Sequence, residues 1–337
     1  MANLPAVSSL YVHVPFCPTL CPYCDFHVVR RGPGWVEAYL ARLREEAAIL
    51  HEAHPDPLKT LYFGGGTPSF LRDRELVALF QALPWGLRPG AEVTLEANPG
   101  TLNRERLRLL KDLGVNRLSL GVQSFQDPVL KFLGRAHGRK GALRAVELAL
   151  EEGFRVSLDL ILGLPMQNVD QDLKEAASLE VGHVSAYTLQ VEPGTPFALL
   201  GVEVDPDKEA EAFLRAEEVL GQAGFVRYEV SNFARDKEEA QHNLVYWRAG
   251  FWLALGPSAS PPLRPPHPEP SPAPLAPGGT ALGGGHPPFG ARQGEPYAGP
   301  PPEGGGGGQG GGGQDGPFPL APPGGGGPGA HRRGAAP

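Results

Sequence analysis

A chain of 337 residues has room for one large α/β domain or two medium ones, and its formal net charge of −7 argues against binding nucleic acid by broad phosphate neutralisation. Three cysteines are too few for a disulfide framework. Residues 1–10 lack a basic region leading into a long apolar run, and no stretch approaches about 18 consecutive apolar residues, so the protein reads as soluble and cytoplasmic, without signal peptide or membrane span.

In chain order, short apolar runs alternate with helical patterns. Runs at 10–14, 60–63, 92–96, 117–122, 155–162 and 183–191 predict six strands. Between the first two, Val36, Tyr39, Leu40, Leu43 and Ala47 recur at helical spacing. Leu76, Leu79, Phe80 and Leu83 do the same, as do Leu107, Leu110 and Leu113 before Gly114. Residues 142–150 and 173–179 continue the alternation. A further helix over 207–222 follows Asp205 and Pro206, an N-cap and first-turn pair, and a strand over 225–230 comes after it. Strand–helix alternation predicts an α/β fold with a parallel sheet, and six units fit a partial (β/α)6 TIM-type barrel.

Composition changes abruptly near Ser260. Residues 261–337 hold 24 Gly and 21 Pro, which leaves 22 and 17 for the first 260. Such a segment cannot bury enough apolar surface to order itself, so a disordered low-complexity tail is expected. Its excess of Pro, Gly, Ala and Arg is that of a GC-rich gene read out of frame, with a genuine low-complexity tail as the alternative. On the frameshift reading, Trp247, Phe251, Trp252 and Leu253 lose their partners and are left exposed.

Polar residues and glycines collect at the carboxyl ends of the predicted strands, where parallel α/β proteins carry their chemistry. All three cysteines lie in Cys17-Pro-Thr-Leu-Cys21-Pro-Tyr-Cys24, directly after the first strand. Thiolates are soft ligands and suit an iron–sulfur cluster or zinc. Zinc would need His13 or His27 as a fourth ligand, and three inert buried thiols are the remaining reading. Three ligands on a four-iron cluster would leave one iron open. Gly64-Gly65-Gly66-Thr67-Pro68 ends the second strand; it has neither the G-x-G-x-x-G spacing of a dinucleotide turn nor the Gly-Lys of a P-loop.

The C-x3-C-x2-C spacing in this position resembles the radical S-adenosylmethionine (SAM) superfamily. The resemblance implies a [4Fe–4S] cluster on Cys17, Cys21 and Cys24, with SAM on the open iron. It makes 1–200 the core and 201–260 the start of an accessory region. Further matches are to the coproporphyrinogen III oxidase-like subgroup: Tyr11, Glu96 in Leu-Glu-Ala-Asn-Pro-Gly, Gln123 in Gly-Val-Gln-Ser-Phe, Arg135 in Leu-Gly-Arg-Ala-His, and Asp159 in Asp-Leu-Ile-Leu-Gly-Leu-Pro. By this resemblance Tyr11, Tyr23, Gly65, Gly66, Thr67, Glu96, Gln123, Arg135 and Asp159 form the SAM pocket.

Two branches of the subgroup compete. One holds the oxygen-independent coproporphyrinogen III oxidases, radical decarboxylases of porphyrin biosynthesis, and the other the heme chaperones of the HemW type. The oxidases carry a further cysteine where this chain has Phe26, and a longer segment before the first strand. The chaperones carry H-N-x-x-Y-W, present here as His242-Asn243-Leu244-Val245-Tyr246-Trp247. The sequence therefore resembles the chaperones more. That implies heme bound through His242, with Tyr246 and Trp247 against the porphyrin, and an acceptor protein to receive it. It also implies an electron donor if SAM is cleaved. No catalytic residue is assigned, and His242 as an ordinary histidine beside an aromatic pair stays open.

Overall fold

The computed structural model describes residues 7–261. Six parallel strands form its centre: β1 (Ser9–Val14), β2 (Leu58–Gly65), β3 (Leu87–Ala97), β4 (Arg117–Gln123), β5 (Arg155–Leu162) and β6 (His183–Thr188). Their alternation explains the architecture. In β4, Leu118, Leu120 and Val122 point to the surrounding helices and join the main core, while Arg117, Ser119, Gly121 and Gln123 line an interior cavity. In β5, Val156, Leu158, Leu160 and Leu162 face outward against Ser157, Asp159 and Ile161 inward. The register keeps the inward sets level: Ser119 lies beside Ser157, which lies beside His183, and Asp159 lies beside Ser185.

The connecting helices bury one stripe each. α1 (Trp35–Ala53) buries Val36, Leu40, Leu43 and Ala47. α2 (Asp73–Gln81) is started by Glu75, whose carboxylate accepts from the Arg72 N–H at 2.8 Å. α3 (Arg104–Asp112) begins at Asn103, whose side-chain oxygen accepts from the Arg106 N–H. α4 (Asp127–Phe132) follows β4, and α5 (Gly138–Glu151) leads to β5. α6 (Val169–Ser178) and the single turn α7 (Pro196–Leu199) flank β6. α8 (Pro206–Gln222) starts as the sequence predicts, with the Asp205 carboxylate accepting from the N–H groups of Asp207 and Lys208.

The chain then widens the sheet at both edges. The hairpin β7 (Val226–Arg227) and β8 (Asn232–Ala234) adds antiparallel to β6. α9 (Gln241–Trp247) crosses beneath the barrel, and β9 (Leu253–Leu255) pairs parallel with β1. The order is β9-β1-β2-β3-β4-β5-β6-β8-β7, so the sheet stays open and the expected partial barrel is the observed architecture. No described helix is long and apolar enough to cross a membrane.

Four expectations need correction. The strand over 183–191 stops at Thr188, because Leu189 leaves the sheet to pack with Phe197. The strand over 225–230 shrinks to two residues, because the chain turns back within a few residues to form the hairpin. α4, α7 and α9 were not predicted; all have seven residues or fewer and little periodicity to detect. Of the four residues expected to be exposed, Leu253 is buried in β9, Phe251 packs half-buried against the core, Trp252 lies half-buried against Tyr246, and Trp247 is 54% exposed. The tail beyond Pro261 lies outside the described residues.

Candidate functional site

The cysteine loop folds over the end of the barrel at which the strands finish. Phe16–Cys17 pairs with Val29–Arg30 in a small parallel ladder, which closes the loop at its base. The Cys24 N–H donates to the Cys21 carbonyl at 3.2 Å, a tight turn that brings the last two thiols together. All three thiols are free, half-buried and line the mouth of one cavity of about 650 Å3. Burial pushes the Cys17 thiol up to about 11, with its two neighbours raising it further, and the Cys24 thiol rises for the same reasons. Such thiols are protonated when unligated and lose their protons to a metal. The Thr67 hydroxyl stands 3.6 Å from Cys17 Sγ, and Nη1 of Arg135 stands 3.4 Å from Cys21 Sγ.

The donor set fits an iron–sulfur cluster: three thiols, a nearby guanidinium cation and an open cavity behind them. It fits zinc less well. His13, one proposed fourth ligand, has both ring nitrogens engaged, Nδ1 with the Tyr11 hydroxyl at 3.1 Å and Nε2 with the His27 carbonyl at 2.8 Å. Among the described residues, no three His, Cys, Asp or Glu side chains are grouped around a single-ion position.

Tyr11, Tyr23, Gly65, Gly66, Thr67, Glu96, Gln123, Arg135 and Asp159 all line this same cavity. Gly65 has φ +100, and a Cβ on it would run into the His13 ring; its N–H donates to Glu96 Oε2 at 3.0 Å. Glu96 Oε1 accepts from the Tyr62 hydroxyl at 2.7 Å. Burial raises the Glu96 carboxyl to about 7, opposed by these two hydrogen bonds and reinforced by Asp159. Asp159 is likewise raised by burial, to about 6, while the Ser185 and Ser119 hydroxyls and Arg135 draw it down. Two half-buried carboxyls on the cavity wall, hydrogen-bonded only to neutral donors, make a site that prefers a positively charged ligand.

Gln123 sits at φ +69, where β4 slips register against β5, and this bulge turns its side chain into the cavity. A Cβ on Gly121 would approach Gln123 Nε2 and Arg135 Nη2 to 3.0 and 3.2 Å, so glycine leaves room for both. Arg135 also donates from Nη2 to the Gly121 carbonyl at 2.6 Å, and its buried Nε has no partner. The guanidinium therefore brings a positive charge and an unpartnered N–H to the cavity wall, which suits a carboxylate.

His242 is a correction. Its side chain is 1% exposed, and both ring nitrogens are occupied: Nδ1 by the Thr60 hydroxyl at 2.8 Å, Nε2 by the Tyr246 hydroxyl at 2.7 Å. Burial holds the imidazole neutral by lowering it to about 3. Neither nitrogen is free to ligate heme iron, so the residue does not fit that group. The aromatic pair expected against porphyrin is split: Tyr246 faces His242 and Trp252, and Trp247 faces solvent.

Sequence reasoning missed the residues that support the site. Tyr62, Ser119 and Ser185 hold the two carboxyls, and Arg117 knits the far end of the cavity. Arg117 is fully buried, with Nε on Glu92 at 3.0 Å, Nη1 on the Ser157 hydroxyl at 3.0 Å and Nη2 on the Glu238 carbonyl at 2.8 Å. For Tyr62, Ser119 and Ser185 the signal was available: each is a polar residue at an alternate position on the inward face of its strand.

Residues 11–179 match the model of the radical SAM superfamily. The chain is 38% identical over 267 residues to the heme chaperone HemW of Bacillus subtilis and 40% identical over 271 residues to that of Escherichia coli. These matches take in 75% and 76% of this chain, and 70% of each relative. Among solved structures, E. coli coproporphyrinogen III oxidase, HemN, superposes with a TM-score of 0.68 at 25% identity, over 77% of this chain and 66% of the other.

Proposed function

The chain belongs to the radical SAM superfamily and, within it, to the family of the HemW heme chaperones, and on that footing we propose that it binds heme and delivers it to an acceptor protein. We propose with it a [4Fe–4S] cluster on Cys17, Cys21 and Cys24. SAM would occupy the cavity walled by Tyr11, Tyr23, Gly65, Gly66, Thr67, Glu96, Gln123, Arg135 and Asp159. The observation that carries this reading is the convergence of three thiols, a guanidinium with an unpartnered N–H and two carboxyls held by neutral donors on one cavity. A cluster held by three cysteines supplies an electron and one open iron when bound. The chain's own residues do the rest. Arg135 is poised for a carboxylate, Glu96 and Asp159 for positive charge and hydroxyls, and the Gly65–Gly66 turn lets a ligand approach the backbone.

Heme binding rests on the family, because His242 is engaged within the protein. A second reading, oxygen-independent coproporphyrinogen III oxidase, is favoured by the likeness to HemN. Phe26, 62% exposed where the oxidases carry a further cysteine, speaks against it. Anaerobic reconstitution followed by two assays separates them. Heme titration with growth of a Soret band, and no decarboxylation of coproporphyrinogen III with SAM and reductant, is expected. Decarboxylation without heme binding would overturn the chaperone reading.

A further inference from the structure

The His242-Asn243-Leu244-Val245-Tyr246-Trp247 stretch is α9 itself, and its spacing is that of a helix face. His242 and Tyr246 stand one turn apart, which lets the Tyr246 hydroxyl reach back to Nε2. Thr60 holds Nδ1, and the His242 main-chain N–H donates to Glu92 at 3.0 Å. Asn243 anchors the same turn by donating to the Tyr228 hydroxyl at 3.3 Å. The imidazole is therefore fixed on all sides. Its face lies on the Tyr62 ring, with centroids 5.3 Å apart and planes 28° from parallel. Tyr62 in turn donates to Glu96.

Thr60, Tyr62 and Gly64 occupy alternate positions of β2 and so share its inward face. A Cβ on Gly64 would come within 2.8 Å of both Glu96 Oε1 and the Tyr62 ring, so only glycine leaves that pair intact. One line of contacts thus runs from α9 through Tyr62 and Glu96 to the N–H of Gly65. We propose that His242, supported by Tyr246, is a positioning residue. By clamping the Tyr62 ring it fixes the hydroxyl that Glu96 accepts, and so the way the Glu96 carboxylate faces a cationic ligand. In its ligand this rests on reading the cavity as a SAM site; in its contacts it stands alone.

The clamp acts by position, because the imidazole is neutral. The groups around Glu96 are Tyr62 from β2, Asp159 from β5, Tyr11 from β1, Tyr187 from β6 and Tyr246 from α9, none of them a cation. A carboxylate in such surroundings depends on its few donors, and loss of one favours the protonated form.

The test uses Tyr62→Phe, His242→Gln, Tyr246→Phe and the surface control Trp247→Ala in the full chain. Infrared titration follows the Glu96 carboxyl band, identified by its absence in Glu96→Gln. Calorimetry with SAM follows the reconstituted protein at several pH values. Tyr62→Phe and His242→Gln are expected to raise the carboxyl by roughly one pH unit, and to weaken SAM about fivefold near neutrality as the ionised fraction falls. The loss shrinks at higher pH. Tyr246→Phe gives a smaller change of the same sign, and Trp247→Ala gives none. Movement in Tyr62→Phe alone would overturn the role of His242. If His242→Gln does not fold, an unmoved band in Tyr246→Phe does the same. A moved band in protein that never binds SAM would sink the SAM reading and leave the positioning role standing.

Discussion

The two ends of the cavity follow one rule of strand alternation and arrive at opposite results. At the end where the strands begin, the charges meeting at Glu92 are paired: Arg117 with Glu92, and Arg155 with Glu238 at 2.8 Å and Glu92 at 3.4 Å. At the end where they finish, valences are left open: three free thiols, an unpartnered Arg135 Nε and two carboxyls held only by neutral donors. Buried polar groups are costly unless paired. A paired set is therefore structural, and an unpaired set is one whose partner arrives from outside. The contrast distinguishes residues that look alike in sequence, since Arg117 and Arg135, or Glu92 and Glu96, cannot be ranked by type.

The largest expected effect breaks the mouth and spares the floor. Cys17→Ala, Cys21→Ala and Cys24→Ala should each abolish the cluster, because three thiolates are the whole of its protein ligation. Iron and acid-labile sulfide after anaerobic reconstitution measure this, with near-stoichiometric retention in any one variant as the contrary result. Cluster-free stability should stay within about 1 kcal/mol, since half-buried thiols without buried partners contribute little.

Arg117→Ala attacks the floor instead. It removes the buried partner at 3.0 Å and leaves Glu92 only the longer contact to Arg155 at 3.4 Å, which costs about 3 kcal/mol. Urea unfolding of the cluster-free protein reads this directly. Arg117→Met combined with Glu92→Gln should recover part of the loss, because the unpaired charge is removed with its partner.

The strands and long helices were legible because β1 to β6 and α8 have strong periodicity and clear caps. The thiols and the mouth residues were legible because unusual spacing and glycine-rich turns mark them. The floor was not. Arg117 pairs with Glu92 from the neighbouring strand and with the carbonyl of Glu238, 121 residues away, and no local pattern encodes such a partner. His242 misled for the same reason. Its motif spacing is that of a helix face, and the Thr60 that occupies its nitrogen lies 182 residues earlier.

Arg135→Ala sharpens the comparison at moderate scale. It removes a charge-assisted donor from the mouth without opening an ion pair, since its contacts are Cys21 Sγ and a carbonyl. SAM affinity should fall by about 1.5–3 kcal/mol, roughly ten- to hundred-fold. Calorimetry on the reconstituted variant checks this. Unchanged affinity there and in Asp159→Ala would show that the open valences serve another ligand.

The smallest effect needs no mutation, because pH acts on the two ends with opposite sign. At the mouth, Glu96 and Asp159 are raised to about 7 and about 6 from ordinary values near 4.5 and 3.8. The stability these carboxyls contribute is full below their unfolded values and is lost as pH rises through 6 to 7. At the floor, His183 and His242 are each lowered from 6.5 to about 3 by burial. Their contribution is full above 6.5 and is lost as pH falls toward 3. Between pH 6 and pH 8 only the mouth titrates, because both histidines stay neutral there. A cationic ligand prefers ionised carboxyls, so SAM affinity should rise about tenfold from pH 6 to pH 8, mainly through Glu96. Glu96→Gln should flatten that rise while leaving the acid-side loss of stability in place, because the histidines that cause it lie at the other end. A rise that survives in Glu96→Gln would assign the pH dependence to a different group and break the division between mouth and floor.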